Sequence, residues 1–228
     1  MSGGPHVCGA CGAAVRPPFR APPPEIAPDL DMRPGEPARS TLVDWVQTCP
    51  VCGAAAPDLQ ALSPAAKPVV ESPAYRALTT SGLEETLPFR RWAMICRETG
   101  DAANEAEALL QAAWAADDAA AMTDGVTFRQ QVVRLWGDPA DEETALRQLD
   151  VLRRAGSFDA AAARAAALGR RSLSETAAAI LRFQQARIAT RDIGRHLISS
   201  ALPPPAHAPH VSHGKRPAPT LWSQLFQR

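Results

Sequence analysis

Several features typical of membrane, secreted and nucleic-acid-binding proteins are absent from this sequence of 228 residues. No apolar run reaches the ~18 residues that a membrane-spanning helix requires. The first residues do not show a basic segment followed by an apolar one, so we expect no secretory signal peptide. Basic and acidic side chains balance at 24 each, which leaves no net charge to attract nucleic acid or an anionic membrane. We therefore expect a cytoplasmic protein.

The sequence also has few of the patterns from which catalytic sites are built. No glycine-rich phosphate loop follows a predicted strand, and no serine lies in a nucleophile-elbow motif. His207, His210 and His213 repeat every third position near the C-terminal end, among prolines. They are typical of a solvated linker, with transient capture of a transition metal as the alternative. We expect a protein that is not an enzyme, and the sequence identifies no small-molecule substrate.

Composition divides the chain into three segments. Residues 1–62 are rich in proline and glycine, which excludes long helices and central strands. Residues 73–202 are dominated by alanine, leucine, arginine and glutamate, which predicts consecutive helices. Residues 203–228 are rich in proline and histidine, and we expect this tail to be disordered. The predicted fold class is mainly α, with a small N-terminal β and loop region.

Capping and breaking signals predict where the helices begin and end. Ser81 and Ser172 each precede a glutamate by three residues, as in a capping box. Asp138 followed by Pro139 predicts another helix start, and Gly100 and Gly156 predict helix ends. Residues 41–47 alternate apolar and polar side chains, which predicts a strand. The predicted helices span residues 73–80, 86–99, 102–116, 126–136, 139–155, 158–169 and 173–199.

Four of the five cysteines form two CxxC pairs, Cys8 with Cys11 and Cys49 with Cys52. A two-residue spacer lets one tight turn direct both sulfurs at one ion, and a glycine follows each pair where the turn needs positive φ. Two such knuckles give tetrahedral four-sulfur coordination of Zn²⁺. Because 37 residues separate the pairs, a sizeable segment must join the two knuckles. We predict one structural zinc ion held by all four cysteines.

Other interpretations of these cysteines are less well supported. A redox CxxC of the thioredoxin type should open a helix within a βαβ unit, and neither pair does so. Iron could occupy the same four sulfurs, although few aromatic side chains are available to surround it. His6 could serve as a ligand, but four cysteines already complete the set. The fifth, Cys96, is either a reactive thiol beside Arg97 or a small core residue, and we favour the core residue.

Five segments of the chain together resemble a bacterial family of unknown function, in which a split zinc ribbon precedes tetratricopeptide-like helices. The residues that carry the resemblance are CGACG at 8–12, DLDMRP at 29–34, WVQTCPVCG at 45–53, AAWAADD at 112–118 and LRRAGSFDAA at 152–161. Gly156, Phe158 and Ala161 have the spacing of a tetratricopeptide-type turn. The resemblance covers residues 8 to about 168 and implies a metal at the four cysteines and no established activity. The predicted domains are a zinc ribbon at residues 1–62 and a tetratricopeptide-like helical domain at 73–202.

The aspartates of DLDMRP allow two interpretations. Asp29 and Asp31 lie two residues apart and could bind a cation or act as acid and base. The alternative is a turn in which they cap backbone amides or pair with Arg33. We favour the turn.

A protein partner is the function that these observations favour. We expect the helices to offer a groove, with the zinc ribbon as a cap or second contact surface. Trp92, Trp114 and Trp136 lie in separate predicted helices and are core residues or walls of such a groove. Nucleic-acid binding by the ribbon is the alternative, although residues 1–70 contain five basic and six acidic side chains.

The C-terminal TLWSQLFQR is a second candidate contact. On a short helix its four large apolar side chains would share one face, which is typical of a docking peptide. A frayed terminus is the equally supported alternative. The candidate partner-binding residues are Leu221, Trp222, Leu225 and Phe226.

Overall fold

The computed structural model describes residues 6–139 and 141–202. Helices dominate this part of the chain, and a single two-stranded antiparallel sheet near the N-terminus accompanies them, so the predicted fold class is confirmed. The terminal motif at residues 220–228 lies outside the described residues and stays a prediction. No helix in the described ranges is long and apolar enough to cross a membrane. The elements are β1 (Gln47–Thr48), β2 (Ala55–Ala56), α1 (Ala66–Glu71), α2 (Pro73–Ala77), α3 (Leu87–Thr99), α4 (Ala102–Asp118), α5 (Met122–Leu135), α6 (Glu142–Arg154), α7 (Phe158–Leu168) and α8 (Glu175–Ala189).

Two predicted helix ends are confirmed, and three predicted helix caps are not. Gly100 and Gly156 take positive φ after α3 and α6, as expected. The predicted caps at Ser81, Asp138 and Ser172 are wrong. Asp141 caps α6 by accepting from Thr144 N at 2.7 Å. Ser174 caps α8 in the same way, accepting from Ala177 N at 3.2 Å.

Two predicted elements are corrected by local hydrogen bonding. The predicted strand at 41–47 is a 3₁₀-helix at Arg39–Asp44, and β1 begins only at Gln47. Thr41 explains the difference, since its hydroxyl donates to Ala38 O at 2.7 Å and accepts from Trp45 Nε1 at 2.9 Å. The predicted helix at 173–199 ends at Ala189, and Arg191 then adopts φ of 53°. The segment beyond it turns back to contact residues 28–30.

Two clusters of buried side chains form the core. The first core cluster contains Cys8, Cys49, Phe89, Trp92 and Trp114, so it runs from the cysteine knuckles into α3 and α4. The second core cluster joins α6, α7 and α8, and it includes Leu30 from the segment between the knuckles. The division at residues 62 and 73 stays a prediction, and hydrophobic packing is continuous across it.

The segment between the knuckles reaches the helices through Asp31, whose side chain is fully buried. Its Oδ2 accepts hydrogen bonds from Arg154 Nη1 at 2.7 Å and from Trp114 Nε1 at 3.0 Å, and Arg129 Nη2 lies at 3.5 Å. Asp117 completes the arrangement, because its carboxylate accepts from both arginines at 2.6 Å. This group, called here the Asp31 cluster, connects the segment to α4, α5 and α6.

The residues around Asp31 reinforce the same connection. Asp31 caps a backbone amide, as one of the favoured alternatives has it, since Arg33 N donates to Asp31 Oδ1 at 3.4 Å. The Arg33 guanidinium donates instead to Asp118 at the end of α4 and to Trp114 O at 3.2 Å. Asp29 accepts from Arg39 at 2.8 Å. Leu30 N donates to His196 O, and Ile198 N donates to Pro28 O. These backbone hydrogen bonds join the segment between the knuckles to the residues that follow α8. DLDMRP therefore forms a turn, as favoured, but its carboxylates anchor it to distant parts of the chain.

Asp31→Asn is expected to destabilise the protein by about 3 kcal/mol, since it leaves two buried guanidinium groups with less compensating charge. Burial alone would raise the pKa of Asp31, but Arg154 and Arg129 hold it well below the usual aspartate range. The charged form therefore stabilises the fold at neutral pH, and this contribution is lost as acid protonates the carboxylate, below the unfolded pKa near 3.8.

Urea unfolding at pH 7 and pH 3 measures both effects, with the exposed Asp44→Asn as the matched control. The difference between wild type and Asp31→Asn should shrink at pH 3. Equal stability of the two proteins at pH 7 would contradict the assignment.

Candidate metal centre

The first cysteine pair lies in a tight hairpin. Val7 and Ala14 form an isolated antiparallel bridge, and Cys8 N donates to Ala13 O at 2.8 Å. Gly12 N donates to Cys8 O at 2.7 Å, and this hydrogen bond closes the turn. Gly12 has φ of 76°, which a side chain would strain. This geometry directs both sulfurs of the pair to one side of the turn.

The second pair repeats the first. β1 and β2 flank it, Cys49 N donates to Ala54 O at 2.8 Å, and Gly53 N donates to Cys49 O at 2.9 Å. Gly53 has the same φ of 76° as its counterpart. The predicted pair of knuckles with a positive-φ glycine after each is therefore present.

The two knuckles bring four sulfur atoms together. All four Sγ atoms lie within 4.8 Å of one another, with Cys8 to Cys52 at 3.9 Å and Cys11 to Cys49 at 3.7 Å. A tetrahedral ion with metal–sulfur bonds of about 2.3 Å requires sulfurs about 3.8 Å apart, so the spacing fits. Within the described ranges no other group of three or more histidine, cysteine or acidic side chains could hold a metal. His6 instead bonds to Gln60 at 2.8 Å.

The sulfurs differ in how readily they ionise. Burial acts to raise the pKa of Cys49, but the amides of Cys52 and Val51 act against it and hold the value at about 7. Burial raises the pKa of Cys8 and, together with the neighbouring thiols, that of Cys52. Binding a cation with four thiolates must therefore release protons.

Each knuckle is hydrogen-bonded to the chain that follows the second knuckle. Tyr75 on α2 is buried, and its hydroxyl donates to Gly53 O at 2.9 Å. Gly9 N donates to Leu59 O at 2.9 Å. Sequence reasoning missed Tyr75, although it is the only tyrosine in the chain and follows the second knuckle closely. The metal centre and the first core cluster are thus one packed region.

Cys96 lies apart from this centre. It is buried on α3 in the first core cluster, where burial and the carboxylates of Asp101 and Glu105 raise its pKa to about 12. A thiol with so high a pKa is a poor nucleophile at neutral pH. The structure therefore agrees with a core residue.

Comparison with known proteins finds no matching family model, no matching curated protein and no matching solved structure. The structure does show a four-cysteine cluster compatible with zinc and a helical body, which are the coarse features of the resemblance. Membership of the family, and the tetratricopeptide-like character of the helices, stay predictions.

Cys11→Ser is expected to lose most of its bound metal, because a serine hydroxyl is a poor replacement for a thiolate ligand. Native mass spectrometry should give about one metal ion per chain for the wild type, as a single four-sulfur site requires. Cys96→Ala is the matched control and should keep its metal. Full metal content in Cys11→Ser would exclude the four-cysteine site.

Proposed function

We propose that this is a zinc protein without catalytic activity, whose metal clamps the N-terminal segment onto the helices and whose surface binds a protein partner. The convergence of four sulfurs within 4.8 Å carries the proposal. Four thiolates complete a tetrahedral shell and leave no position for a substrate or an activated water, which is the pattern of a structural zinc site. Zinc is proposed over iron because the role needs no electron transfer.

A groove beside the second knuckle is the proposed partner site. It has a volume of about 1000 Å³ and runs between residues 14–20 and the 3₁₀-helix at Arg39–Asp44 with β1. Phe19 and Val43 line it with 40% and 73% of their surfaces exposed. Pro17 and Pro18 restrict one wall, so little conformational entropy is lost when a ligand binds there.

The charge of the groove indicates the kind of partner. Arg16 and Arg20 flank Phe19, and neither has an ion-pair partner among the described residues. In contrast, ion pairs with carboxylates of the same chain are formed by Arg33, Arg129 and Arg154. Asp44 is the one acidic side chain that lines the groove. We therefore propose that the partner is an extended peptide with acidic and apolar side chains.

Nucleic acid is the competing ligand for the same groove. An aromatic side chain between two arginines suits a stacked base. However, the groove carries only two arginines against one aspartate, and stable binding to a phosphate backbone usually needs several unopposed cations. The proposed peptide is therefore favoured, and the experiment below separates the two ligands.

The triple variant Arg16→Gln, Phe19→Ala, Arg20→Gln should bind a fluorescein-labelled ten-residue peptide of alternating glutamate and leucine about tenfold more weakly than wild type, equivalent to about 1.4 kcal/mol. The double variant Met122→Ala, Arg134→Gln on α5 is the control, since it removes an exposed apolar side chain and an exposed cation elsewhere. Fluorescence anisotropy at low and high salt measures the difference.

Two results would contradict the proposal. One is equal peptide affinity in the wild type and the triple variant. The other is tighter, salt-sensitive binding of a ten-nucleotide single-stranded DNA that depends on Phe19, which would establish the nucleic-acid alternative.

A further inference from the structure

A second cleft, of about 410 Å³, lies directly against the metal centre. Cys11 and Cys52 line one side of it together with Gly53. The opposite side is formed by three helices, each of which contributes one basic side chain: Lys67 from α1, Arg76 from α2 and Arg91 from α3. The cleft is therefore shared between thiol ligands and three cations.

The charges in this cleft balance those of a filled site. A divalent ion with four thiolates carries a net charge of −2, since four negative sulfurs surround two positive charges. The three cations and Glu71, the only carboxylate lining the cleft, sum to +2. A cluster of like charges that is unfavourable beside neutral thiols becomes favourable beside a thiolate-bound ion.

Arg91 is the cation that the structure fixes most firmly. Its Nη2 donates to Thr79 at 2.8 Å, and its guanidinium carbon lies 5.5 Å from the centre of the Tyr75 ring. Tyr75 in turn donates to Gly53 O in the second knuckle. No carboxylate of the described residues pairs with Arg91, and its Nε is buried without a hydrogen-bond partner. Its charge is therefore not neutralised within the protein, unlike that of Arg129 or Arg154.

We infer that Lys67, Arg76 and Arg91 are the counter-charges of the metal centre, and that they raise its affinity for a divalent ion bound by four thiolates. This inference rests on the proposed metal occupancy. The three residues touch no metal; they act through the electrostatic potential at the sulfurs, so each is a positioning residue. Glu71 opposes them and lowers the affinity.

The test measures Zn²⁺ affinity by competition with a chromophoric chelator, on the full chain, at low ionic strength. Arg91→Gln should bind Zn²⁺ about threefold to tenfold more weakly, as expected for a charge that lines the same partly aqueous cleft as the sulfurs. The double variant Lys67→Gln, Arg76→Gln alters only exposed side chains, and should weaken binding by a similar factor without affecting folding. Glu71→Gln removes a negative charge from the cleft and should therefore bind Zn²⁺ more tightly than wild type.

Two controls separate charge from packing. Arg91→Lys keeps the charge and should restore most of the affinity, whereas a purely structural role of the guanidinium would not be rescued. Arg182→Gln removes an exposed cation on α8, away from the cleft, and should have no effect. All differences should shrink at 0.5 M salt, because screening is then effective within about 4 Å.

The results separate this inference from the proposed function. If the wild type binds no metal, both fail. If the wild type binds one Zn²⁺ and all of the cleft variants bind it equally well at low salt, the metal centre stands and the inference about the cations is overturned. The inference is also overturned if Glu71→Gln weakens binding as Arg91→Gln does.

Discussion

The buried carboxylate of Asp31 joins the segment between the knuckles to the helices. It accepts hydrogen bonds from Arg154 and Trp114 and lies beside Arg129, so three helices meet at one acidic group. Breaking a buried ion pair leaves an uncompensated charge at a cost of several kcal/mol, whereas forming it contributes little net stability. Such a cluster therefore selects one arrangement of the helices over others. In an alanine-rich body with few large apolar side chains, this selectivity supplements what packing alone can specify.

The metal centre and the Asp31 cluster hold the same stretch of chain at different points. The knuckles fix its two ends, at Cys11 and Cys49, and the cluster fixes its middle. A proline-rich segment of this length has too little apolar surface to fold by itself, so each fastening restricts the conformations available to the other. Tyr75 extends the coupling, because it belongs to the core and also bonds to the second knuckle. The four-cysteine centre and the helical body therefore belong to one packed structure.

Local features were predictable from the sequence, and long-range partners were not. The knuckles depend on a two-residue spacer and a following glycine, all within a few residues, and they form as expected. The helix ends at Gly100 and Gly156 are local for the same reason. The partners of Asp31 lie about a hundred residues away and are two of many arginines, so no spacing identifies them. The strand predicted at 41–47 failed because the Thr41 side chain stabilises a 3₁₀ turn that apolar alternation does not reveal.

The backbone pairing of residues 28–30 with residues 196–198 has a consequence for biosynthesis. The segment between the knuckles is synthesised before the helices, whereas residues 196–198, which pair with it, follow all eight α-helices of the described residues. Arg154, which donates to Asp31, is likewise synthesised only at the end of α6. Residues 28–31 therefore cannot complete these contacts until the chain beyond α8 has been made.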